Sequence, residues 1–144
     1  MSSATLLDDG LLLLLLRRNL PSAVAPELIC STTGYWFRLA RATALPGGQG
    51  RFSRATAELD PRERDALRAK IELLDTIITI ADVRQLIPAM ARLASTYTLN
   101  LLSAEVLAVA RALDARIVVT HGNAGPRLVA AAQAIGVELT ELAA

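Results

Sequence analysis

The pattern of hydrophobic positions begins with "TLL", residues 5–7, followed by two adjacent carboxylates and the six consecutive leucines of residues 11–16. A short apolar run of this kind is consistent with a buried strand. Leucine on every face over nearly two turns predicts a helix that is buried all round. The start of the chain therefore predicts a strand, an acid at Asp8 and a buried helix.

The next segment, "ELICSTTGYWFRLARATA" at residues 27–44, predicts one helix. Its apolar side contains Leu28, Tyr35 and Leu39 at helical spacing. A loop is predicted to follow at "LPGGQGRFS", residues 45–53, because proline and three glycines interrupt regular structure there.

The middle of the chain contains a strong helix start signal in "DPRE", residues 60–63, with a capping carboxylate followed by proline in the first turn. The helix is predicted to run to about Leu74. The β-branched "TIITI" of residues 76–80 predicts a short strand. Residues 81–95 predict a second helix, with a bend near Pro88.

The last third of the chain has the most regular pattern. It predicts a helix at 103–115, a strand at 116–119, a turn at 120–125, a helix at 126–136 and a final strand at 137–142. Helices and strands that alternate with short links predict a parallel sheet with helices on both faces. The expected fold is a three-layer α/β/α domain over residues 1–144.

Composition and charge narrow the functional classes. A net charge of +1 gives no strong overall field, so any polyanion binding depends on local clusters. The leucine run is far shorter than the roughly 20 apolar residues of a membrane-spanning helix, which predicts no membrane association. The single cysteine, Cys30, excludes an intrachain disulfide and favours a cytoplasmic location. A small buried hydrophobe is its expected role.

The strand, acid and buried helix at the start, together with "YTLNLLSAEVLAVARALDARIVVTHGNAGPRLVAAAQAIGVEL" at residues 97–139, resemble the PIN domain, the fold of many toxin-antitoxin ribonucleases. The resemblance spans nearly the whole chain. It is clearest over residues 97–139 and loosest over residues 42–80. It implies an α/β domain with a parallel sheet.

The resemblance also implies where a metal site would lie. An active PIN domain holds Mg²⁺ or Mn²⁺ with about four carboxylates, because hard cations prefer oxygen ligands and activate a water that attacks RNA phosphate. The first family acid falls on Asp8, followed here by Asp9 and Gly10. The other family-site positions carry no acid and fall on Thr32, Ser103, Thr120, Gly122 and Asn123. Only one acid of the family set is present.

Two neighbouring carboxylates are candidate substitutes for the missing acids. Glu105 lies two residues beyond Ser103, roughly 200° round a helix, so it is expected to point elsewhere unless the helix starts later. Asp9 follows Asp8 directly, and the two side chains would point to opposite faces if the strand continued. Without a metal, Asp8 and Asp9 would serve as helix caps, and Ser103 as the N-cap of the late helix.

Other polar and aromatic residues have both functional and structural interpretations. Thr32 is either a site position or a helix-start hydroxyl. His121 and Asn123 either belong to the site or are ordinary turn residues. Tyr35 and Trp36 either stack on a base or belong to the core or a dimer interface. The arginine pairs that would contact RNA phosphate, or form solvated surfaces, are Arg17 and Arg18, and Arg38 and Arg41.

The sequence therefore predicts a PIN-like domain with a largely lost acidic metal site. We expect a binding or regulatory module, a homodimer whose partner is RNA or an antitoxin-like protein. The alternative is a weak Mg²⁺- or Mn²⁺-dependent ribonuclease that uses Asp8, Asp9 and Glu105. A third interpretation, without the family, is a small doubly wound domain that binds an unrelated ligand at its sheet edge.

Overall fold

A computed structural model describes residues 4–24, 28–44, 59–73 and 77–143. Its strands are β1 (Ala4–Leu7), β2 (Leu28–Ser31), β3 (Ile78–Ile80), β4 (Ala115–Thr120) and β5 (Leu139–Leu142). The helices are α1 (Asp9–Leu16), α2 (Thr33–Ala44), α3 (Pro61–Leu73), α4 (Ile87–Tyr97), α5 (Leu101–Ala112) and α6 (Pro126–Ile135). Two short 3₁₀ helices cover Ser22–Val24 and Val83–Leu86.

The five described strands form one parallel sheet in the order β3-β2-β1-β4-β5. The helices flank this sheet, which confirms the predicted three-layer α/β/α fold. From β1 the chain adds β2 and β3 on one side of the sheet, and it then returns to add β4 and β5 on the other side of β1. The strand order therefore reverses between β1 and β4. In open α/β sheets, the crevice outside the carboxyl ends of the strands at such a reversal is the usual ligand site.

The leucine-rich helix α1 lies in the core. Leu11, Leu12, Leu13 and Leu16 are almost fully buried, and the other two leucines of the run are half-buried and pack against the same core. Helix α1 packs against both the sheet and α2. Because it is covered on these sides, it has leucines around its circumference and no exposed polar face. The prediction of a strand, an acid and a buried helix is confirmed.

The prediction of a single helix over residues 27–44 is wrong in its first part. Leu28–Ser31 forms β2, which pairs in parallel with β1 on one side and β3 on the other. A short apolar run cannot be assigned to helix or strand from periodicity alone, and here the pairing with two neighbouring strands decides. The helical pattern begins only at Thr33.

Two details of the later helices also differ from expectation. Pro88 lies in the first turn of α4 and does not bend a longer helix, because a missing N–H costs nothing where no partner carbonyl precedes it. Helix α5 begins at Leu101, and its N-cap is Asn100, whose side chain accepts a hydrogen bond from the Ser103 N–H at 2.8 Å. The expectation that Ser103 is the N-cap is therefore wrong.

The remaining elements agree with the sequence patterns. Asp60 caps α3 by accepting a hydrogen bond from the Glu63 N–H at 2.8 Å. Helix α6 begins with Pro126 and ends at Ile135. The next residue, Gly136, has a φ of 76°, the left-handed conformation that favours glycine. The loop predicted at residues 45–53 lies outside the described residues.

No single helix in the described ranges has both the length and the apolar character needed to cross a membrane. The segments Val83–Tyr97 and Leu101–Ala112 meet that criterion of length and composition only as a pair, across a bend of 119°.

Candidate functional site

The candidate site lies where strand order reverses, at the carboxyl ends of β1 and β4. Asp8 follows β1 directly, Thr120 ends β4, and Asn123 lies in the turn after it. The sheet thus brings Asp8 together with two other predicted site positions that lie more than a hundred residues later in the sequence. Arg38 joins them from α2. These residues and Asp9 form the acidic cluster of this structure.

Asp8 is fully buried, and each of its carboxylate oxygens accepts two hydrogen bonds. Oδ1 accepts from the Leu11 N–H at 2.9 Å and from the Thr120 hydroxyl at 3.2 Å. Oδ2 accepts from the Thr120 N–H at 2.8 Å and from the Asn123 side-chain amide at 2.6 Å. A carboxylate offers about four lone-pair positions, so the protein itself uses the acceptor capacity of Asp8. Asp8 also caps α1.

Asp9 is buried beside Asp8 and faces the same cluster. Its Oδ1 accepts from the Asn123 amide at 2.8 Å and from the Gly10 N–H at 3.1 Å, while its Oδ2 lies 3.2 Å from Nε of Arg38. The two carboxylates do not point to opposite faces, because the strand ends at Leu7 and Asp9 is the first residue of α1.

The pKa of Asp9 lies above its ordinary value because burial penalises the charged carboxylate. The guanidinium of Arg38 and the hydrogen bond from Asn123 act in the opposite direction, and the negative charge of Asp8 adds to the rise. Oδ2 of Asp9 is buried and receives no hydrogen bond, so the ion pair with Arg38 is its main compensation. The cluster therefore balances two carboxylates with one half-exposed guanidinium and several dipoles.

Gly10 and Thr120 fit together at the edge of this cluster. A Cβ atom added at Gly10 would overlap the Thr120 hydroxyl and would lie 3.6 Å from Oδ1 of Asp8. Gly10 itself has no side chain that could donate a hydrogen bond to Asp8. Thr120 supplies a hydroxyl to Asp8 from β4 in the space that the missing side chain leaves.

Glu105 is buried but takes no part in the acidic cluster. Its Oε2 accepts from the Thr33 N–H and its Oε1 from the Gly34 N–H, both at 2.9 Å. These amides are the first two of α2, so a side chain of α5 caps the N-terminus of another helix. The helix N-terminus is a favourable position for a carboxylate. Glu105 therefore points away from the acidic cluster, as its predicted position on the helix relative to Ser103 indicated.

The other family-site positions have structural roles. The Thr32 hydroxyl accepts a hydrogen bond from the Tyr35 N–H at 3.1 Å, as expected for a helix-start residue. Ser103 is half-buried in the first turn of α5. Gly122 has a φ of 81°, so its conformation serves the turn after β4.

Of the candidate RNA-binding arginines, one forms an ion pair inside the protein and the other three are exposed to solvent. Arg38 is engaged with Asp9, whereas Arg17, Arg18 and Arg41 are exposed. His121 lies outside the acidic cluster, with an exposed side chain whose Nδ1 is 3.3 Å from Oε2 of Glu141.

The residues present do not fit a divalent cation. Among the described residues, no group of three or more His, Cys, Asp or Glu side chains is arranged to hold a metal. Asp8 already accepts four hydrogen bonds, and Arg38 occupies the free side of Asp9. A cation here would have to displace these donors and would meet a nearby guanidinium.

Sequence reasoning missed three of the contacts that define the site. The ion pair between Arg38 and Asp9, the bridge that Asn123 makes between the two aspartates, and the capping of α2 by Glu105 all join distant segments. Two signals in the sequence pointed to such contacts. The adjacent acids Asp8 and Asp9 beside a buried helix require compensating partners, and so does Glu105 in an otherwise apolar helix.

No protein-family model matches this chain, and no curated protein matches it.

Proposed function

We propose that this chain is a PIN-like domain of the toxin-antitoxin ribonuclease superfamily that no longer cleaves RNA. In this proposal it acts as a regulatory module that binds RNA or an antitoxin-like protein partner. The position of Asp8 at the end of β1, beside the end of β4, supports the PIN-like assignment, since the resemblance requires an acid there.

The single observation that carries the proposal is that one guanidinium and several neutral hydrogen-bond donors of the protein itself hold the acidic cluster. The Asn123 amide donates one hydrogen to Oδ2 of Asp8 and one to Oδ1 of Asp9. Arg38 adds a positive charge on the remaining oxygen of Asp9. These groups perform the electrostatic task of a cation, because they hold two buried carboxylates together. They cannot activate a water for attack on phosphate.

Strand order does not separate this proposal from the third interpretation. The order 3-2-1-4-5 is also that of the first five strands in doubly wound dinucleotide-binding sheets. Those sheets place a glycine-rich turn after the first strand, where the backbone approaches a pyrophosphate. Here the turn after β1 contains Asp8, Asp9 and one glycine, which supports the PIN-like proposal.

The alternative function is a weak Mg²⁺- or Mn²⁺-dependent ribonuclease. One observation favours it: two aspartates are buried side by side at the sheet edge, and one oxygen of Asp9 accepts no hydrogen bond. This alternative needs a third carboxylate, and Glu105 is bound to the backbone of α2. It therefore requires a rearrangement of both Arg38 and the N-terminus of α2.

An RNA cleavage assay decides between these two functions. Purified protein is incubated with a mixed pool of structured and single-stranded RNA in Mn²⁺, with EDTA and with the Asp8→Asn variant as controls. We expect no cleavage that depends on both Mn²⁺ and Asp8. Cleavage by the wild type that stops with EDTA and is lost in Asp8→Asn would establish the ribonuclease.

The binding partner is tested separately from cleavage. Fluorescence anisotropy with the same RNA pool measures binding by the wild type and by Arg17→Glu/Arg18→Glu. If RNA is the partner, affinity falls steeply with salt and falls again in the variant. Equal weak binding by both proteins would exclude RNA contact through this pair.

The homodimer is also part of the proposal. Among the described residues, four large apolar side chains on different helices are exposed: Phe37 on α2, Leu73 on α3, Ile87 on α4 and Leu101 on α5. Single exposed apolar residues are ordinary, whereas a contiguous apolar patch marks a protein interface, so the proposed dimer requires that some of these side chains form such a patch. Sedimentation analysis of the wild type and of Phe37→Ser measures the oligomeric state directly.

A further inference from the structure

A groove separate from the acidic cluster runs between α4, α5 and the end of α6. Its volume is about 480 Å³, which is within the range of pockets that hold a ligand or a few large side chains. The floor includes Leu93 and Ala108, and the half-buried Leu86, Tyr97 and Ile135 line its sides. The alanines among its ten lining residues leave the space that larger side chains would fill.

Two arginines lie on this otherwise mostly apolar groove. Arg92 on α4 and Arg111 on α5 are exposed, and the described part of the chain provides neither guanidinium with a hydrogen-bond or ion-pair partner. None of the ten lining residues is acidic, so the groove has a charge of +2 at neutral pH. Both guanidiniums are therefore available for carboxylates from outside, which they can bind in a bidentate manner.

The depression next to this groove does not share its excess of positive charge. A neighbouring depression of about 350 Å³ shares Arg111 and Ile135 with it, but there Asp114 and Glu138 accompany the basic residues. An anionic ligand is thus attracted to the part between α4 and α5.

We infer that this groove binds an acidic amphipathic segment of a partner protein, with apolar side chains on the floor and carboxylates paired to Arg92 and Arg111. Helices with one apolar face commonly bind grooves of this kind. The inference concerns a surface away from the acidic cluster and does not depend on the PIN-like assignment.

Two other occupants fit the groove less well. RNA binding to single strands uses several aromatic stacking surfaces beside a track of cations, whereas Tyr97 is the one aromatic residue among those that line the groove. A second copy of the chain would need an acidic face. Helix α3, with the sequence PRERDALRAKIEL, has four basic side chains and three acidic ones.

A display library of random 16-residue peptides tests the inference. The library is selected on the wild type, and the enriched peptides are measured by anisotropy against wild type, Arg92→Glu/Arg111→Glu and the control Arg62→Glu, which reverses an exposed charge on α3. Circular dichroism verifies that each variant is folded. We expect peptides with leucines and carboxylates at three- and four-residue spacing. Their Kd should increase at least tenfold for the double variant and change little for the control.

A charge exchange gives the second readout. Replacing the carboxylates of an enriched peptide by lysine should restore binding to Arg92→Glu/Arg111→Glu and abolish binding to the wild type. Failure to recover a specific peptide, or peptides that bind wild type and double variant equally, would overturn the inference. A wild-type dimer that dissociates in the double variant would also overturn it, because the occupant would then be a second copy. None of these results bears on RNA cleavage.

Discussion

At the residue scale, the main feature is a buried pair of carboxylates whose charge is balanced by the protein. Asn123 bridges Asp8 and Asp9, and Arg38 pairs with Asp9. An uncompensated buried carboxylate would cost several kcal/mol, about 3 kcal/mol or more when a buried partner is removed. The arrangement therefore stabilises a cluster that would otherwise need a bound cation.

The contact between Gly10 and Thr120 predicts a strong coupling of two substitutions. Gly10→Ala should destabilise the protein by about 1–3 kcal/mol, because the new Cβ overlaps the Thr120 hydroxyl. On a Thr120→Ala background the same change should be neutral or stabilising by up to about 1 kcal/mol, since alanine is the better helix former. Urea unfolding of the four proteins measures the coupling. Equal costs of Gly10→Ala on both backgrounds would show that the two side chains do not meet.

The raised pKa of Asp9 predicts a specific pH dependence of stability. The native state retains the proton above the ordinary value of 3.8, whereas the unfolded chain loses it there. The native state therefore binds more protons in this window, and the contribution of Asp9 to stability decreases as pH rises through its folded pKa. In Asp9→Asn this decrease is absent, so the variant should gain stability relative to the wild type as pH rises from 3.8.

Unfolding free energies measured at closely spaced pH values provide the test. Asp65→Asn, which removes an exposed carboxylate on α3, is the matched control for the loss of one acid. A wild type that gained stability relative to Asp9→Asn over the same window would contradict the cause assigned to the pKa shift.

At the element scale, helix α2 depends on a residue of α5 for its N-terminus. Glu105 accepts hydrogen bonds from the first two amides of α2. A Cβ on Gly34 would lie 2.5 Å from Cδ1 of Leu102 and 3.0 Å from Oε1 of Glu105, both on α5. The glycine thus permits the close approach of the carboxylate. This contact fixes the start of α2, which in turn holds Arg38 beside Asp9.

Glu105→Ala should therefore cost about 2–4 kcal/mol, since it leaves two partly buried amides without their acceptor. Glu105→Gln keeps one oxygen and should cost about half as much. Asn100→Ala removes an ordinary exposed cap from α5 and should cost about 1 kcal/mol. Thermal and urea unfolding measure all three. Similar losses in the free energy of unfolding for Glu105→Ala and Asn100→Ala would mean that Glu105 stabilises the protein no more than an exposed helix cap does.

Much of the fold was predictable because local signals agreed with it. Helix α6 has proline in its first turn and glycine after its end, and β4 before it contains the apolar run Ile117–Val119. Strand β2 was missed because its four residues continue the apolar pattern of α2, and only pairing with β1 and β3 makes them a strand. Tertiary contacts override local periodicity in such cases.

The candidate site was predictable in position but not in chemistry. Adjacent strands of a parallel sheet bring the ends of β1 and β4 together, which placed Asp8 near Thr120 and Asn123. The orientation of Asn123 towards both aspartates and the reach of Arg38 depend on side-chain packing across elements. No spacing in the sequence encodes these contacts.

At the scale of the whole molecule, the buried acidic cluster and the open groove are separate regions with different chemistry. The acidic cluster is buried at the sheet edge and is satisfied by internal donors. The groove between α4 and α5 is open and carries two arginines without partners among the described residues. In the proposed function, the chain binds its partner through its surface, and the acidic cluster contributes to stability.

Calorimetric titration of the wild type with Mn²⁺ at neutral pH tests the central claim most directly. With Asp8 and Asp9 occupied by internal donors, we expect no saturable binding below about 1 mM, the weak end of cation sites in proteins. Stoichiometric binding of Mn²⁺ at micromolar concentration would contradict the account.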